Sequence, residues 1–301
     1  MVWYSKTMDE QLYGGIEAGG TKFLCAIGTA TGKIIAKTHI PTTSPGETLD
    51  KVIDFFSKQP KLRAMGIASF GPIDINKQSK TYGYITTTSK PGWRNTDLVG
   101  PIVKALNVPI ALDTDVNGAA LGEQLYGAGK NLDSIAYMTV GTGIGVGCII
   151  NNQVLGGFAH TETGHMLIPY SSRDTHPLSS CPYHETCLEG LASGSSLKLR
   201  YGKSAEQLDD DKAWSLEAYY LAVGIVNIIY SLAPRRIIIG GGVLAHQGLI
   251  QAIRAEVPKL LNSYLQIPEI LDNLEDYITL PELGDVSGIT GAIIIGSRLA
   301  S

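Results

Sequence analysis

The chain carries no excess of positive charge and no run of basic residues: 24 Lys and Arg stand against 28 Asp and Glu, for a formal net charge of −4. Binding to nucleic acid needs a basic patch or stripe, so no nucleic-acid partner is expected. Long apolar runs are also missing. Stretches such as 225–229 and 236–242 fall far short of the roughly 20 residues that cross a bilayer, so no membrane partner is expected either. The opening stretch, MVWYSKTMDEQ, lacks the apolar core of a signal peptide; its first seven residues look poorly integrated, and Met8 is a candidate alternative start. Cysteine is scarce, with four residues, and Cys25 and Cys148 stand isolated in apolar surroundings. They read as inert core thiols in a reducing, cytoplasmic setting. What remains is a chain of 301 residues, comfortable for two domains, 44% hydrophobic, with 35 glycines gathered at a few places.

Several familiar signatures are missing too. No G-x4-G-K-[ST] loop occurs, and the glycines of 141–147 cannot be read as G-x-G-x-x-G. No serine sits in a G-x-S-x-G elbow, and Ser195-Ser196-Leu197-Lys198 lacks the partner motifs that would give S-x-x-K meaning. The glycines mark a different pattern. Residues 12–41 read as strand, tight turn at Gly19-Gly20-Thr21-Lys22, strand, polar turn, strand, with Phe23, Cys25 and Ile27 on one face. About 120 residues later the pattern returns: a strand over 134–140, the turn Gly141-Thr142-Gly143, a strand over 148–150, and the turn Asn151-Asn152. Two glycines let backbone N–H groups approach an anionic ligand, and a threonine adds a hydroxyl donor. Taken alone such a turn is more often only a turn, but its repetition suggests a duplicated domain holding a nucleotide.

Between the repeats, a helix is expected over 47–57, a strand over 64–70, a polar loop over 74–98, a helix over 97–106 and a strand over 108–112. That strand runs into Asp113-Thr114-Asp115-Val116-Asn117, whose two acids and amide would share one side in extended geometry. Helix capping accounts for one of those acids but not readily for both. Later helices are expected over 189–199, 214–233, 249–261 and 288–299, with strands over 236–242 and 277–280; the glycines 240–242 permit close approach to an adenine or ribose.

The most unusual chemistry lies between Glu162 and Glu189. This stretch holds two of the four cysteines and three of the six histidines. Cys181, His184 and Cys187 form C-x2-H-x2-C, sixteen residues after His165, and two thiolates with two imidazoles make a tetrahedral zinc set. Four protein ligands close the coordination sphere, so such a metal is structural. A Cys181–Cys187 disulfide and an ordinary loop are the other readings, and His160 and His176 are alternative ligands outside the tight run.

In combination, Glu17-Ala-Gly-Gly-Thr-Lys22, Asp115-Val-Asn117, Gly141-Thr-Gly-Ile-Gly145, Glu162-Thr-Gly-His165 with the Cys/His run, and Ile239-Gly-Gly-Gly-Val243 resemble the ROK family of bacterial sugar kinases. Ser69-Phe-Gly-Pro-Ile-Asp74, Ser89-Lys-Pro-Gly-Trp93 and Cys181 through Gly194 look like its fructokinase branch. The resemblance implies an α/β, actin-like (RNase H-like) ATPase fold of two similar domains around a central cleft. Residues 12–118 with 288–301 would form the first domain, and 119–287 the second, with the zinc loop. It implies phosphorylation of D-fructose at O6 by ATP with Mg2+, Zn2+ in a structural role, and a homodimer. By matching positions Asp115 would be the general base, and Thr114, Glu162, His165 and Glu189 would contact sugar. Gly19, Gly20, Thr21, Lys22, Gly141, Thr142, Gly143, Gly194, Gly241, Gly242 and Val243 would line the nucleotide. The family usually has Asp at Glu17 and Asn at Thr114, so magnesium positioning is expected to survive while the exact sugar preference is open. A kinase for glucose, mannose or an N-acetylhexosamine is the nearest alternative. A sugar-sensing ROK regulator is disfavoured, because only about twelve residues precede the first strand and no helix-turn-helix is readable.

Overall fold

The computed structural model describes residues 11–299, so the expectations about Met8 and the first seven residues lie outside the described part. In chain order the elements are β1 (Leu12–Ala18), β2 (Lys22–Thr29), β3 (Ile34–Pro41), α1 (Pro45–Ser57), β4 (Ala64–Ser69), β5 (Tyr84–Ile85), β6 (Thr96–Asp97), α2 (Gly100–Leu106), β7 (Ile110–Thr114) and α3 (Asp115–Tyr126). There follow β8 (Ile135–Val140), β9 (Ile144–Ile150), β10 (Gln153–Val154), α4 (Leu188–Ala192), α5 (Gly194–Tyr201), α6 (Asp211–Leu232), β11 (Arg236–Gly240), α7 (Leu249–Leu261), α8 (Pro268–Leu271), α9 (Leu274–Tyr277), β12 (Ile278–Thr279) and α10 (Ser287–Leu299).

These elements divide into two compact units. The first takes in the described residues up to Gly122, Gly157–His160 and the stretch from Asp285 onward; the second takes in Glu123–Gly156 and Thr161–Gly284. The first unit is built on a five-stranded sheet in the order β3-β2-β1-β4-β7. Strand β1 pairs antiparallel with β2 and parallel with β4, β2 pairs antiparallel with β3, and β4 pairs parallel with β7. The central strands are buried on both faces, as the apolar alternation in β2 demands. Phe23, Cys25 and Ile27 join the core under α1 and α2, while Leu24 and Ala26 join Ile289, Ala292 and Ile293 of α10 on the other face. Trp93 is wholly buried in the first of these cores, and its indole N–H donates to the Thr43 carbonyl at 2.8 Å. The edge strand β3 alternates between half-buried and exposed, as a strand with one solvated side must.

The second unit repeats the plan. Its sheet runs β10-β9-β8-β11-β12, with antiparallel pairs β8–β9 and β9–β10 and parallel pairs β8–β11 and β11–β12. Strand for strand this is the connectivity of the first unit, so the two glycine-turn segments are the same part of one duplicated architecture. The long helix α6 forms its core, with Trp214, Tyr220, Leu221, Ile225 and Ile229 buried. By length and composition this helix could cross a bilayer, although its longest unbroken apolar stretch is far shorter than a span; 61% of its apolar window is buried inside the protein. Asp210 caps it, accepting from the N–H groups of Lys212 and Ala213.

Several boundaries differ from expectation for identifiable reasons. The helix expected over 189–199 is two, because Ser193 breaks it in extended geometry and then caps α5 by accepting from Ser196 N–H. Strand β9 begins at Ile144, inside the glycine run, because Gly145 and Gly147 pair across to Thr139 and Tyr137. The strand expected over 277–280 shrinks to two residues after the short helix α9. Within the polar loop over 74–98, β5 and β6 form a two-stranded hairpin.

Glycines decide how closely α10 packs. A Cβ on Gly291 would collide with the backbone of Gly118 in α3, and one on Gly66 would collide with the backbone of Ala292 and Gly296. Backbone cannot yield as a flexible side chain can, so overpacking here costs roughly 1–3 kcal/mol or more. Gly291→Ala is therefore expected to lower unfolding stability by about 2 kcal/mol or more in urea titration. Gly46→Ala, where nothing lies within 4 Å of an added Cβ, should be neutral or stabilising by up to about 1 kcal/mol.

Candidate active site

In the first unit the functional side chains gather at the ends of β1 and β7. Strand β7 ends at Thr114, and Asp115 is the first residue of α3. The acids therefore do not share one side by extended alternation; the chain turns helical between them. Asp113 and Asn117 come together across that turn, with the Asn117 amide donating to Asp113 Oδ1 at 2.6 Å and the Thr114 N–H donating to the same oxygen at 2.7 Å. Thr114 is buried, and its hydroxyl accepts from Asn117 N–H at 3.2 Å. Burial raises the Asp113 carboxyl above its ordinary range, against the pull of Asn117, Thr114 and His160. With its carboxylate engaged in this way, Asp113 fits an organising part better than a proton acceptor's.

Glu17 stands near the end of β1 behind the Gly19-Gly20-Thr21-Lys22 turn. Burial first, and the Asp115 carboxylate second, push its carboxyl up to about 7, although Lys22 and the Ile289 N–H act in the opposite direction. Two acids and a hard-oxygen environment beside a glycine turn suit a divalent cation such as magnesium. The turn is closed by Gly19 N–H on the Lys22 carbonyl at 3.0 Å and braced by the Thr42 hydroxyl on the Gly19 carbonyl at 2.8 Å.

In the second unit His165, Cys181, His184 and Cys187 converge, their four ligand atoms all within 4.8 Å of one another. Cys181 Sγ lies 3.5 Å from His184 Nδ1 and 3.7 Å from His165 Nδ1, and Cys187 Sγ lies 3.6 Å from His165 Nδ1. Zinc bonds of about 2.3 Å to sulfur and 2.0–2.1 Å to nitrogen set tetrahedral S···N edges near 3.6 Å, so the residues fit that ion. Both cysteines are free, which sets the disulfide reading aside. Burial holds the Cys187 thiol well above its ordinary range; a bound cation is what turns such a thiol into a thiolate ligand. His160 and His176 take no part. His160 belongs to the first unit, where its Nε2 accepts from Ile73 N–H, and His176 pairs with the Thr175 hydroxyl.

Glu189 links this group to the second glycine turn. Its Oε2 accepts from Ile144 N–H at 2.9 Å, and its Oε1 lies 3.8 Å from His165 Nε2. His165 thus turns Nδ1 to the thiols and Nε2 to a carboxylate, the arrangement that orients metal-bound imidazoles. A side chain at Gly143 would collide with that carboxylate. The turn is further tied to α5: Gly194 N–H donates to the Gly141 carbonyl at 2.7 Å, and the Ser195 hydroxyl donates to the Thr142 carbonyl at 2.7 Å. Gly241, at φ +99, backs directly onto the Val140 backbone, which no other residue could do without strain. It leads into the 3-10 turn Gly242–Ala245, which carries Val243. Glu162 precedes the 3-10 turn Thr163–His165; it is exposed, and its carbonyl accepts from His165 N–H. The bonds of Asp113 to Asn117 and of Glu189 to Ile144 span four and 45 residues, and no local pattern announced them.

Glu17 yields a pH prediction. Its folded value of about 7 lies above the ordinary 4.5, so the fold prefers the neutral acid. That contribution is whole below pH 4.5 and is lost as pH rises through 7, about 3 kcal/mol in all. Glu17→Gln fixes a neutral side chain. In metal-free buffer it should raise the melting temperature at about pH 8 and leave it nearly unchanged at about pH 4.5; an equal gain at both would refute the burial account.

A model of the ROK family matches residues 13–298 of the chain. The fructokinases of Streptococcus mutans and Pediococcus pentosaceus are 42% and 43% identical to it, over 97% and 94% of this chain and 99% and 97% of their own lengths. A ROK hexokinase from Thermus thermophilus superposes with a TM-score of 0.79 at 23% identity, covering 96% of this chain and 99% of that one. A ROK family glucokinase from Streptomyces griseus, solved with glucose and AMPPNP, gives 0.72 at 21%, covering 95% and 99%. At those identities the two structures speak for the fold, which is the actin-like ATPase fold with its doubled sheet. With the motifs, the duplicated topology and the similarity all running nearly end to end, the chain belongs to the ROK family.

Proposed function

We propose that the protein is an ATP-dependent fructokinase that transfers the γ-phosphoryl group of ATP to O6 of D-fructose. The observation that carries this reading is the similarity to fructokinases at 41–43% identity over nearly the whole of both chains. Asp115, at the start of α3 with one oxygen held by the Val116 N–H, accepts the O6 proton as that oxygen attacks phosphorus; the bond between the γ-phosphorus and its bridging oxygen breaks, and ADP leaves. Glu162, His165 and Glu189 accept and donate hydrogen bonds to sugar hydroxyls, with Thr114 beside the base. A carboxylate can serve two adjacent hydroxyls at once, which suits a polyol. The backbone donors of Gly19–Lys22 and Gly141–Gly143 cradle phosphate, and Gly194 with Gly241–Val243 faces the nucleoside. Bound magnesium would neutralise charge on the phosphates, near Glu17. Zinc held by His165, Cys181, His184 and Cys187 would fix the orientation of His165 and thereby of Glu189. We further read the protein as a cytoplasmic homodimer.

Thr114 bears on which sugar is preferred, because the amide usual in the family is missing there. Turnover on a panel of fructose, mannose, glucose and N-acetylhexosamines, followed by ADP release, should favour fructose; a preference for another hexose would replace the substrate while leaving the reaction. Asp115→Asn should lower kcat by about 10²–10⁴-fold with the melting temperature retained, and near-normal turnover would refute the base assignment. Metal analysis should find one zinc per chain. Its removal should raise KM for fructose and spare KM for ATP, whereas equal loss of both would mean general unfolding.

A further inference from the structure

The loop that carries two of the four metal-binding side chains runs between two short pairings at its base. Ile168 N–H donates to the Thr186 carbonyl, and Leu188 N–H donates to the Met166 carbonyl. Its second half contains Cys181 and His184. Its first half contains no metal-binding residue, yet it ends in a buried charge. The Asp174 side chain is 2% exposed and lies 3.9 Å from Nε of Arg200, whose side chain is 1% exposed. Asp174 Oδ2 also accepts from the Tyr220 hydroxyl at 2.9 Å, while that hydroxyl accepts from Ser171 N–H at 3.1 Å. Asp174 Oδ1 accepts from His176 N–H at 3.0 Å. The loop backbone is thus wired through one carboxylate to α6.

Arg200 faces more than the loop. Its Nη2 donates to the Ser196 hydroxyl at 2.8 Å and to the Leu191 carbonyl, at the end of the helix that carries Glu189. Its guanidinium lies 5.6 Å from the centre of the Tyr220 ring. The other acid that acts on it is Glu217, fully buried on α6, neither of whose oxygens has a hydrogen-bond partner. Burial holds Glu217 well above the carboxylate range, which leaves Asp174 as the counter-charge of Arg200. Lifting the first half of the loop would leave a buried guanidinium without its partner, which is far costlier than losing a surface contact. The second half is tied only by neutral hydrogen bonds, from Ser180 N–H to the Gly190 carbonyl at 2.9 Å, from the Ser179 hydroxyl to the His184 carbonyl at 2.7 Å and from Cys181 N–H to the Ser179 hydroxyl, and breaking these strands no buried charge.

We propose that this loop has two separate anchors: the metal for its second half, and the buried Asp174–Arg200 pair for its first half. The pair acts as a positioning device that keeps the metal loop partly preformed in the absence of metal. Preforming half of the loop lowers the ordering cost that metal binding must meet, so the pair should raise metal affinity without touching the ion.

Hydrogen exchange on the full-length protein, zinc-loaded and chelator-treated, tests this without reference to catalysis. In the wild type, chelation should speed exchange over 177–186 and leave the amides of Ser171, Arg173, Asp174 and His176 protected. In Asp174→Asn, chelation should release those four amides about ten- to a hundred-fold, the effect of losing a charged hydrogen bond. Zinc affinity, read by competition with a coloured chelator, should fall by about ten-fold, while exchange in β8 and β11 stays slow. If chelation of the wild type frees both halves together, or if Asp174→Asn keeps the wild-type zinc affinity, the proposal fails. Should Asp174→Asn lose protection in β8 and β11, Tyr220→Phe serves instead: it keeps the ion pair and removes the hydroxyl. It should speed exchange at Ser171, whose N–H that hydroxyl held, while the amides of Asp174 and His176 stay protected after chelation; release of those two as well would overturn the proposal.

Discussion

The second unit depends on what one carboxylate does in two directions. Glu189 holds the Ile144 N–H with one oxygen and faces His165 Nε2 with the other. It thereby ties the second glycine turn to an imidazole whose other nitrogen belongs to the Cys/His group. The bonded oxygen is placed by the chain around it. Ile144 N–H opens a strand that begins within a glycine run, and Gly143 leaves room for the carboxylate where a side chain would exclude it. A closed four-ligand set cannot itself take substrate, so its contribution is rigidity.

The duplicated sheet places comparable turns in both units but equips them differently. In the first unit the turn after β1 is backed by Glu17, near enough to Asp115 that this second carboxylate helps to raise the Glu17 carboxyl above its ordinary range, after burial. In the second unit the corresponding turn after β8 is backed by Glu189 and the α5 terminus, with hydrogen-bond donors in place of a second acid. Duplication supplied the same scaffold twice, and divergence lay in what stands behind each turn. The close backbone packing of α10 against β4 and α3 stiffens the first unit beneath its acids, and it is possible only because glycines meet there.

Much of the architecture was legible in the chain. The period-two alternation of Phe23, Cys25 and Ile27 against Leu24 and Ala26 sorts those residues onto the two faces of β2, where two different cores receive them. The recurrence of strand, glycine turn and strand announced the repeated topology. The C-x2-H-x2-C spacing with an upstream histidine announced that these four side chains would converge. Helix limits were less legible. Ser193 breaks the segment over 188–201 by capping α5, and a serine inside a helical pattern does not declare whether it will cap or continue.

By itself the sequence determined the fold class, the duplication, the family and the grouping of His165, Cys181, His184 and Cys187, since all four are carried by local spacing or by motifs read in order. Only the tertiary structure decided which of two neighbouring acids holds the Asn117 amide. Asp113 and Asp115 look equivalent as letters, and a change from strand to helix between them gives Asn117 to one of them. It likewise decided that Glu189 bonds Ile144, and that Arg200 meets Asp174 in the interior of the second unit. Such pairings depend on burial and on distances across many residues of chain, which composition and periodicity do not encode.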